Sequence, residues 1–189
     1  MTKRPKSRSL RAVFDTDELE ARFRTIVTLM YDTSVPLSIL EEKICPYLAP
    51  DVVFGDPWLR SQGHQKIRMG MRGFHCAFRF EFDIHQLAIQ PNKDGRGGRA
   101  LIEGVMNLRS IPGYVYPLRS ILTYDFTLNE QGEPRITHIE EMWSFGDMIK
   151  HAPLGVGWVY ERFFRPAAGH FFVGFFWLAC KLRGGPPEK

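Results

Sequence analysis

The first group that could do chemistry is a histidine in the last strand-like segment. Over residues 135–143 polar and apolar side chains alternate, with Ile136, His138, Glu140 and Met142 on one face and Thr137, Ile139, Glu141 and Trp143 on the other. Each face carries an apolar and an ionisable group, so the pattern leaves open which one is buried. His138 could act as a general acid or base, because imidazole titrates near neutral pH. The alternative is a histidine hydrogen-bonded in or beside the sheet, since the sequence identifies no partner acid or base.

A second candidate is the Asp56-Pro57 pair, which separates strand-like residues 52–54 from a returning arm at 58–62. Asp before Pro is a common turn pair, in which the carboxylate accepts hydrogen bonds from nearby backbone donors. The other histidines lack metal-ligand spacing, and no phosphate-binding glycine loop or serine nucleophile elbow is present. We therefore predict no metal and no cofactor.

These candidates must be positioned by helices that come first and strands that follow. Asp15 and Glu18 have the spacing of a capping box, and apolar residues from 19 to 31 recur at helical intervals. Shorter helices are predicted between Pro36 and Pro46 and over residues 64–75. In the strand beginning at residue 79 the alternation changes phase near His85, which predicts a β-bulge.

Helices followed by antiparallel strands are typical of an α+β domain, with the helices on one face of a curved sheet. The wedge between helices and sheet is a natural apolar pocket. Its predicted ligand-binding residues are Trp58, Phe82, Met106, Leu122 and Trp143. The residues predicted to be buried are Phe80, Phe82, Ile102, Met106 and Leu122.

The stretch Tyr47-Leu-Ala-Pro-Asp-Val-Val-Phe-Gly-Asp-Pro57, followed by Gly63 and Ile67, resembles the signature of the SnoaL-like and ketosteroid-isomerase-like members of the nuclear transport factor 2 superfamily. The resemblance covers about residues 16–144. It implies a cone-shaped, curved antiparallel sheet packed against three N-terminal helices, plus a C-terminal aromatic helical extension. That extension resembles the one in the SigF-like subgroup. The motif recurs across unrelated activities and non-enzymes, so it says little about chemistry.

The resemblance implies two catalytic positions. Asp56 matches the general base of the isomerases, and Tyr124 falls at or next to their protonated oxyanion donor. The tyrosine donor of their first helix falls near Ile26, however, and the acid that follows the last strand in SnoaL-like proteins falls near Ser144, which counts against those specific activities. We expect a domain that binds a hydrophobic small molecule and could catalyse proton transfer. The alternative is a non-enzymatic membrane-peripheral or protein-interaction module.

The charge is concentrated at the two ends of the chain. Five basic residues precede the first acid, Asp15, and residues 12–180 carry a net charge of about −3. We therefore expect no nucleic-acid-binding face on the folded body. Residues 1–14 are predicted to be a disordered basic arm, with organelle targeting or lipid contact as alternatives. The three widely spaced cysteines favour a reducing, cytoplasmic location.

The predicted domain ends at residue 145, and residues 146–189 form an aromatic extension with a basic end. Pro153, Gly155, Gly157 and Pro166 are expected to break it into pieces. Only 15 residues separate Arg165 from Lys181, short of the roughly 20 that span a bilayer. Residues 153–182 could pack on their own domain, form a homodimer or contact a membrane surface, and the sequence leaves these three open.

Overall fold

The computed structural model describes residues 15–111, 113–152 and 154–182. The chain divides into two compact units, with the division between Trp143 and Ser144. The predicted basic arm and the basic end after residue 182 lie outside the described residues. Each unit is taken by itself below.

The first unit begins with three helices, α1 (Thr16–Met30), α2 (Leu37–Lys43) and α3 (His64–Ala77). The predicted start of α1 is confirmed, because the Asp15 carboxylate accepts hydrogen bonds from the backbone N–H groups of Asp17 and Glu18, both at 3.1 Å. Such capping satisfies donors that have no partner within the helix. A short 3₁₀ turn, Cys45–Tyr47, leads from α2 into the sheet.

One six-stranded sheet forms the rest of this unit. Its strands are β1 (Leu48–Gly55), β2 (Arg60–Gln62), β3 (Phe80–Pro91), β4 (Gly97–Ile111), β5 (Tyr114–Leu128) and β6 (Pro134–Trp143). Their spatial order is β2-β1-β6-β5-β4-β3. Only the β1–β6 pair is parallel among the strand pairs of the described residues. The curved, unclosed sheet with its helices confirms the predicted α+β class.

The bulge predicted in β3 is confirmed, because the β3–β4 register shifts between Ile84 and Gln86. His85 is the extra residue, and it restores the apolar face of the strand to the interior. The five residues predicted to be buried are all in the core, namely Phe80, Phe82, Ile102, Met106 and Leu122. Each such side chain contributes about 1.5–3 kcal/mol relative to exposure.

The helices pack on the interior face of the sheet through aromatic rings. The Phe23 ring of α1 lies with its centroid 5.9 Å from that of Tyr124 and 5.0 Å from that of Phe126. At the end of α1, the Tyr31 ring lies 5.7 Å from the Phe82 ring. These contacts place the middle of α1 over β5 and its end against β3, the strand at one edge of the sheet.

A second bulge, in β6, settles which face of that strand points inward. The β5–β6 register pairs Phe126 with Ile136 and Asp125 with His138, so Thr137 is the extra residue. Because one residue is inserted there, the alternation changes phase between residues 136 and 138.

Because of this bulge, the buried face of β6 carries Ile136 before it and Ile139 and Glu141 after it. His138 is opposite to them, on the outer face of the sheet, together with Met142, which is exposed. The interior of the first unit therefore receives a carboxylic acid from its last strand.

The second unit is helical, with α4 (Phe145–Lys150), α5 (Val156–Val159), a π-helical turn (Tyr160–Phe164) and α6 (Arg165–Leu182). The predicted breaks at Gly157 and Pro166 are wrong, because helical structure continues from residue 156 to residue 182. The π-helical turn explains this result: the Arg165 N–H donates to the Tyr160 carbonyl five residues back. A wider turn accommodates the missing donor of the following Pro166.

Candidate functional site

A carboxylic acid is buried inside the first unit. Glu141 of β6 is 9 % exposed, and the Tyr31 hydroxyl, just beyond the end of α1, donates a hydrogen bond to its Oε1. The Tyr31 ring is itself held between the rings of Phe80, at 6.4 Å, and Phe82, at 5.7 Å. An ionisable side chain that is buried yet hydrogen-bonded in this way is uncommon and often functional.

Burial raises the pKa of Glu141 to about 7, because the apolar interior disfavours the charged form. The hydrogen bond from Tyr31 opposes this rise, and the nearby negative charge of Asp56 adds to it. Burial also raises the pKa of the Tyr31 hydroxyl well above its usual range, with the charge of Glu141 acting in the same direction. Near neutral pH, Glu141 can therefore both accept and donate a proton, while Tyr31 stays protonated.

Tyr124 is the second tyrosine of this cluster. Its side chain is 0 % exposed, and its hydroxyl donates to the Met30 Sδ at 3.7 Å. A thioether sulfur is a weak acceptor, so this hydroxyl can turn to a better acceptor if one enters the site. Burial raises the pKa of Tyr124, which keeps it a hydrogen-bond donor at neutral pH.

Asp56, the predicted base, stabilises the turn between β1 and β2 in the structure. Its Oδ1 accepts hydrogen bonds from the backbone N–H groups of Trp58 at 2.6 Å and Leu59 at 2.8 Å. The side chain is half-buried at the end of β1 and contributes negative potential at Glu141. Asp56 thus shapes the β1–β2 bend and acts electrostatically on the buried acid.

His138, the third predicted catalytic residue, is not part of this cluster. It lies on the outer face of the sheet, where its Nε2 is 3.1 Å from Glu140 Oε2 and its Nδ1 is 3.8 Å from Asp125 Oδ2. Asp125 also forms an ion pair with Arg99 at 2.6 Å. This arrangement is the hydrogen-bonded alternative that the sequence left open.

The predicted ligand-binding residues occupy two places. Phe82, Met106 and Leu122 are buried on the interior face, and Leu122 lies directly opposite Glu141. Trp58 and Trp143 contact each other edge to face, with ring centroids 4.7 Å apart. Trp58 is 63 % exposed, so this aromatic pair reaches the surface.

Sequence reasoning missed Tyr31, Glu141 and a buried histidine, His75. The His75 Nε2 is 3.0 Å from the Met30 carbonyl oxygen, to which it donates, and its Nδ1 is buried without a hydrogen-bond partner among the described residues. Met30 therefore contacts His75 through its carbonyl and Tyr124 through its sulfur. The sequence signal for Tyr31 was its place at the end of the apolar stripe of α1.

A concave region of about 490 Å³ lies away from the buried acid. It is open and mainly polar, and Gln90, Arg99, Asp125 and Thr137 are among its lining residues. Such a lining is poorly suited to a hydrophobic ligand. Within residues 15–111, 113–152 and 154–182, no three His, Cys, Asp or Glu side chains are grouped as metal ligands.

Comparison with known proteins gives matches at the level of structure alone. No family model and no curated protein matches the chain. Among solved structures, a Mycobacterium tuberculosis protein of unknown function is 14% identical, with a TM-score of 0.57 over 77% of this chain and 85% of that one. Nuclear transport factor 2 from Cryptosporidium parvum is 15% identical, with a TM-score of 0.53 over 68% of this chain and 94% of that one. The chain has the nuclear transport factor 2-like fold.

An LEH-like epoxide hydrolase of M. tuberculosis shares this fold at 18% identity, with a TM-score of 0.52 over 72% of this chain and 85% of that chain. The fold resemblance stated from residues 47–67 is thereby confirmed, and membership of the SigF-like subgroup stays a prediction. Because one fold serves a transport factor and a hydrolase, it does not choose between enzyme and binding module.

Proposed function

We propose that the first unit binds a hydrophobic small molecule between helices and sheet and transfers a proton to or from it through Glu141. The observation that carries this proposal is the buried Glu141 carboxyl, hydrogen-bonded to Tyr31 and facing an interior lined by Leu122, Met106 and Phe82. A general acid or base works best when its pKa lies near the working pH, and burial brings the pKa of Glu141 to about 7.

The proposed reaction uses the carboxyl of Glu141 and the hydroxyl of Tyr124. The ionised Glu141 takes a proton from a carbon next to a ligand carbonyl, and the C–H electron pair moves to the carbonyl oxygen to form an enolate. Tyr124 donates a hydrogen bond to that oxygen, in place of its weak bond to the Met30 sulfur. Glu141 then returns the proton to the ligand, so atoms and charge balance without a further reactant.

This proposal gives Asp56 a supporting role in place of the role of base. One carboxylate oxygen of Asp56 already accepts two backbone hydrogen bonds, and the side chain is only half-buried. Its negative charge helps to raise the pKa of Glu141. His138 has no part in the reaction, because it lies on the opposite face of the sheet.

A second candidate function belongs to the C-terminal unit, as a module for attachment to a membrane surface or to another copy of the chain. The observation that favours it is the exposure of the apolar side chains of α6, because every side chain between residues 171 and 178, apart from Gly174, is at least 48 % accessible. This role does not depend on chemistry in the first unit.

Ligand binding is tested by mass spectrometry of small molecules that copurify with the full chain. Met106→Trp adds volume to the interior, and Ile121→Trp makes the same kind of change at an exposed site on β5. We expect the copurified compound to be lost from Met106→Trp and retained by Ile121→Trp. Leu122→Phe, a smaller overpacking, replaces Met106→Trp if that variant does not fold. A compound retained by every folded variant would contradict interior binding.

Proton transfer is tested by incubating the copurified compound with the protein in D₂O and measuring deuterium incorporation. Glu141→Gln keeps the shape and the hydrogen bond to Tyr31 but cannot take up a proton. We expect the exchange rate to fall by about 10²–10⁴ in Glu141→Gln. The matched control, His138→Gln, should exchange at the rate of the unaltered chain. Equal losses in both variants, or none in either, would refute the assignment of Glu141.

A further inference from the structure

The α6 helix exposes aromatic and aliphatic side chains around its whole circumference. Residues 171–178 are apolar without interruption, and consecutive positions point about 100° apart around a helix. Four phenylalanines, at 171, 172, 175 and 176, cover one half of the surface, while Val173 and Trp177 lie on the other. One neighbouring helix covers only one face of α6, so a single protein contact leaves rings in water.

The charges of this segment stand at its two ends. Between Arg165 and Lys181 there is no Asp, Glu, Lys or Arg. At the first end Arg165 pairs with Glu161 at 3.0 Å, and Arg162 adds a further positive charge. At the other end the Lys181 Nζ lies 5.1 Å from the centre of the Trp177 ring. Both ends are therefore net positive, as expected where headgroup phosphates flank an apolar layer.

The length of α6 argues for a helix that lies along such a layer. Its 18 residues span about 27 Å, below the roughly 30 Å thickness of bilayer hydrocarbon. Pro166 and His170 occupy the first two turns and shorten the apolar part further. In the part of the chain that the structure describes, no helix meets the length and hydropathy needed to cross a bilayer.

We infer that α6 docks on an anionic lipid surface, with its rings in the outer acyl layer and the cations at its two ends among the phosphates. A helix embedded among the outer acyl chains has apolar neighbours on several sides, which matches the all-round distribution of rings better than one protein face does. The inference rests on the second candidate function and is independent of Glu141, so failure of either leaves the other intact.

The experiment is vesicle flotation of the full chain, with phosphatidylcholine alone and with phosphatidylcholine mixed with phosphatidylserine. The main variant is Phe172→Ser with Phe176→Ser, which removes two stacked, exposed rings whose centroids are 6.2 Å apart. The matched control is Met69→Ser, an exposed apolar side chain on α3 of the first unit. Circular dichroism and the mass in solution are measured for each variant.

We expect the chain to float with the mixed vesicles, and the double serine variant to lose at least about tenfold in partitioning, since each buried ring contributes substantially. Met69→Ser should float normally. Lys181→Gln should weaken binding about fivefold, and added salt should weaken it further. Equal binding to neutral vesicles would overturn the proposed requirement for an anionic lipid surface. No flotation would overturn the inference altogether, and a dimer mass lost only in the double serine variant would assign the rings to a second copy.

Discussion

Phenylalanine has opposite surroundings in the two units. Phe23 of α1 is fully buried and packs on the rings of Tyr124 and Phe126. Phe172 and Phe176 of α6 stack on each other but stay more than half exposed. The difference follows from spacing, because α1 repeats its apolar residues every three to four positions and α6 carries them consecutively. Periodic rings build a core, whereas consecutive rings need partners on every side.

Polar groups also differ in their surroundings between the two units. The first unit hides a carboxylic acid and two tyrosine hydroxyls among apolar side chains, at Glu141, Tyr31 and Tyr124. In α6 the ionisable groups stand at the ends of an exposed apolar surface. The first arrangement suits chemistry on a small molecule, because a buried acid has an altered pKa. The second suits attachment to a large surface.

The largest expected effect separates the two kinds of phenylalanine. Phe23→Ala should lower the free energy of unfolding by about 3–5 kcal/mol, because it leaves a cavity in the core. Phe175→Ala in α6 should change it by less than about 0.5 kcal/mol, since the ring is exposed. Urea unfolding of the two variants makes the comparison. Similar losses in both would mean that the α6 rings are buried in solution.

The next effect is a dependence of stability on pH that comes from Glu141. Its pKa is about 7 in the folded chain, against an ordinary value of about 4.3, so the folded state binds more protons between these pH values. The stability that protonation of Glu141 contributes is therefore complete below about pH 4.3 and is lost as pH rises through 7, a change on the order of 4 kcal/mol.

Glu141→Gln removes this titration. Relative to the unaltered chain, we expect the variant to gain stability steadily between pH 5 and pH 7 and the difference to level off by pH 8, as measured by urea unfolding at each pH. Glu133→Gln, at an exposed carboxylate in the β5–β6 turn that pairs with Arg22 of α1, is the control and should follow the unaltered chain closely. A constant offset between Glu141→Gln and the unaltered chain would contradict the raised pKa.

A smaller effect concerns the two tyrosines. Tyr31→Phe removes the donor to Glu141. It should lower the free energy of unfolding by about 1–3 kcal/mol at pH 8, where the buried carboxylate is left without this hydrogen bond. Tyr124→Phe loses a weak bond to the Met30 sulfur and an interaction with the Tyr31 hydroxyl, and it should lower the free energy of unfolding by less than about 1 kcal/mol. A larger cost for Tyr124→Phe would show that the hydroxyl has a stronger partner than Met30.

The smallest expected effect is on the outer face of the sheet. His138→Gln should change the free energy of unfolding by less than about 1 kcal/mol, because its contacts with Glu140 and Asp125 are partly exposed. Compound binding should be unchanged as well. Loss of the copurified compound in His138→Gln would move the binding site from the interior to the outer face.

The sequence predicted most of the fold because local signals agreed. The cap at Asp15, the helical spacing after it and the phase change at His85 each matched the structure. The aromatic extension was predicted to be helical, and it is. Its continuity past Pro166 was not predicted, because a π-helical turn depends on backbone geometry that composition does not encode.

The site was harder to predict because a single bulge decides it. Without the bulge, the register at the start of the β5–β6 hairpin, where Leu128 faces Pro134, would place His138 opposite Tyr124. The extra residue Thr137 shifts the pairing by one and brings Glu141 opposite Leu122. Glutamate is rarely buried, so hydrophobic patterning carried no signal for this shift.

The central claim is that Glu141 is a buried acid that titrates near neutral pH. It is tested most directly by ¹³C NMR of the full chain labelled at the glutamate side-chain carboxyl, with the Glu141 resonance assigned by its absence in Glu141→Gln. We expect that resonance to titrate with a midpoint at about pH 7, and the midpoint to rise further in Tyr31→Phe, which lacks the opposing hydrogen bond. A midpoint near the ordinary glutamate value of about 4.3 would contradict the account.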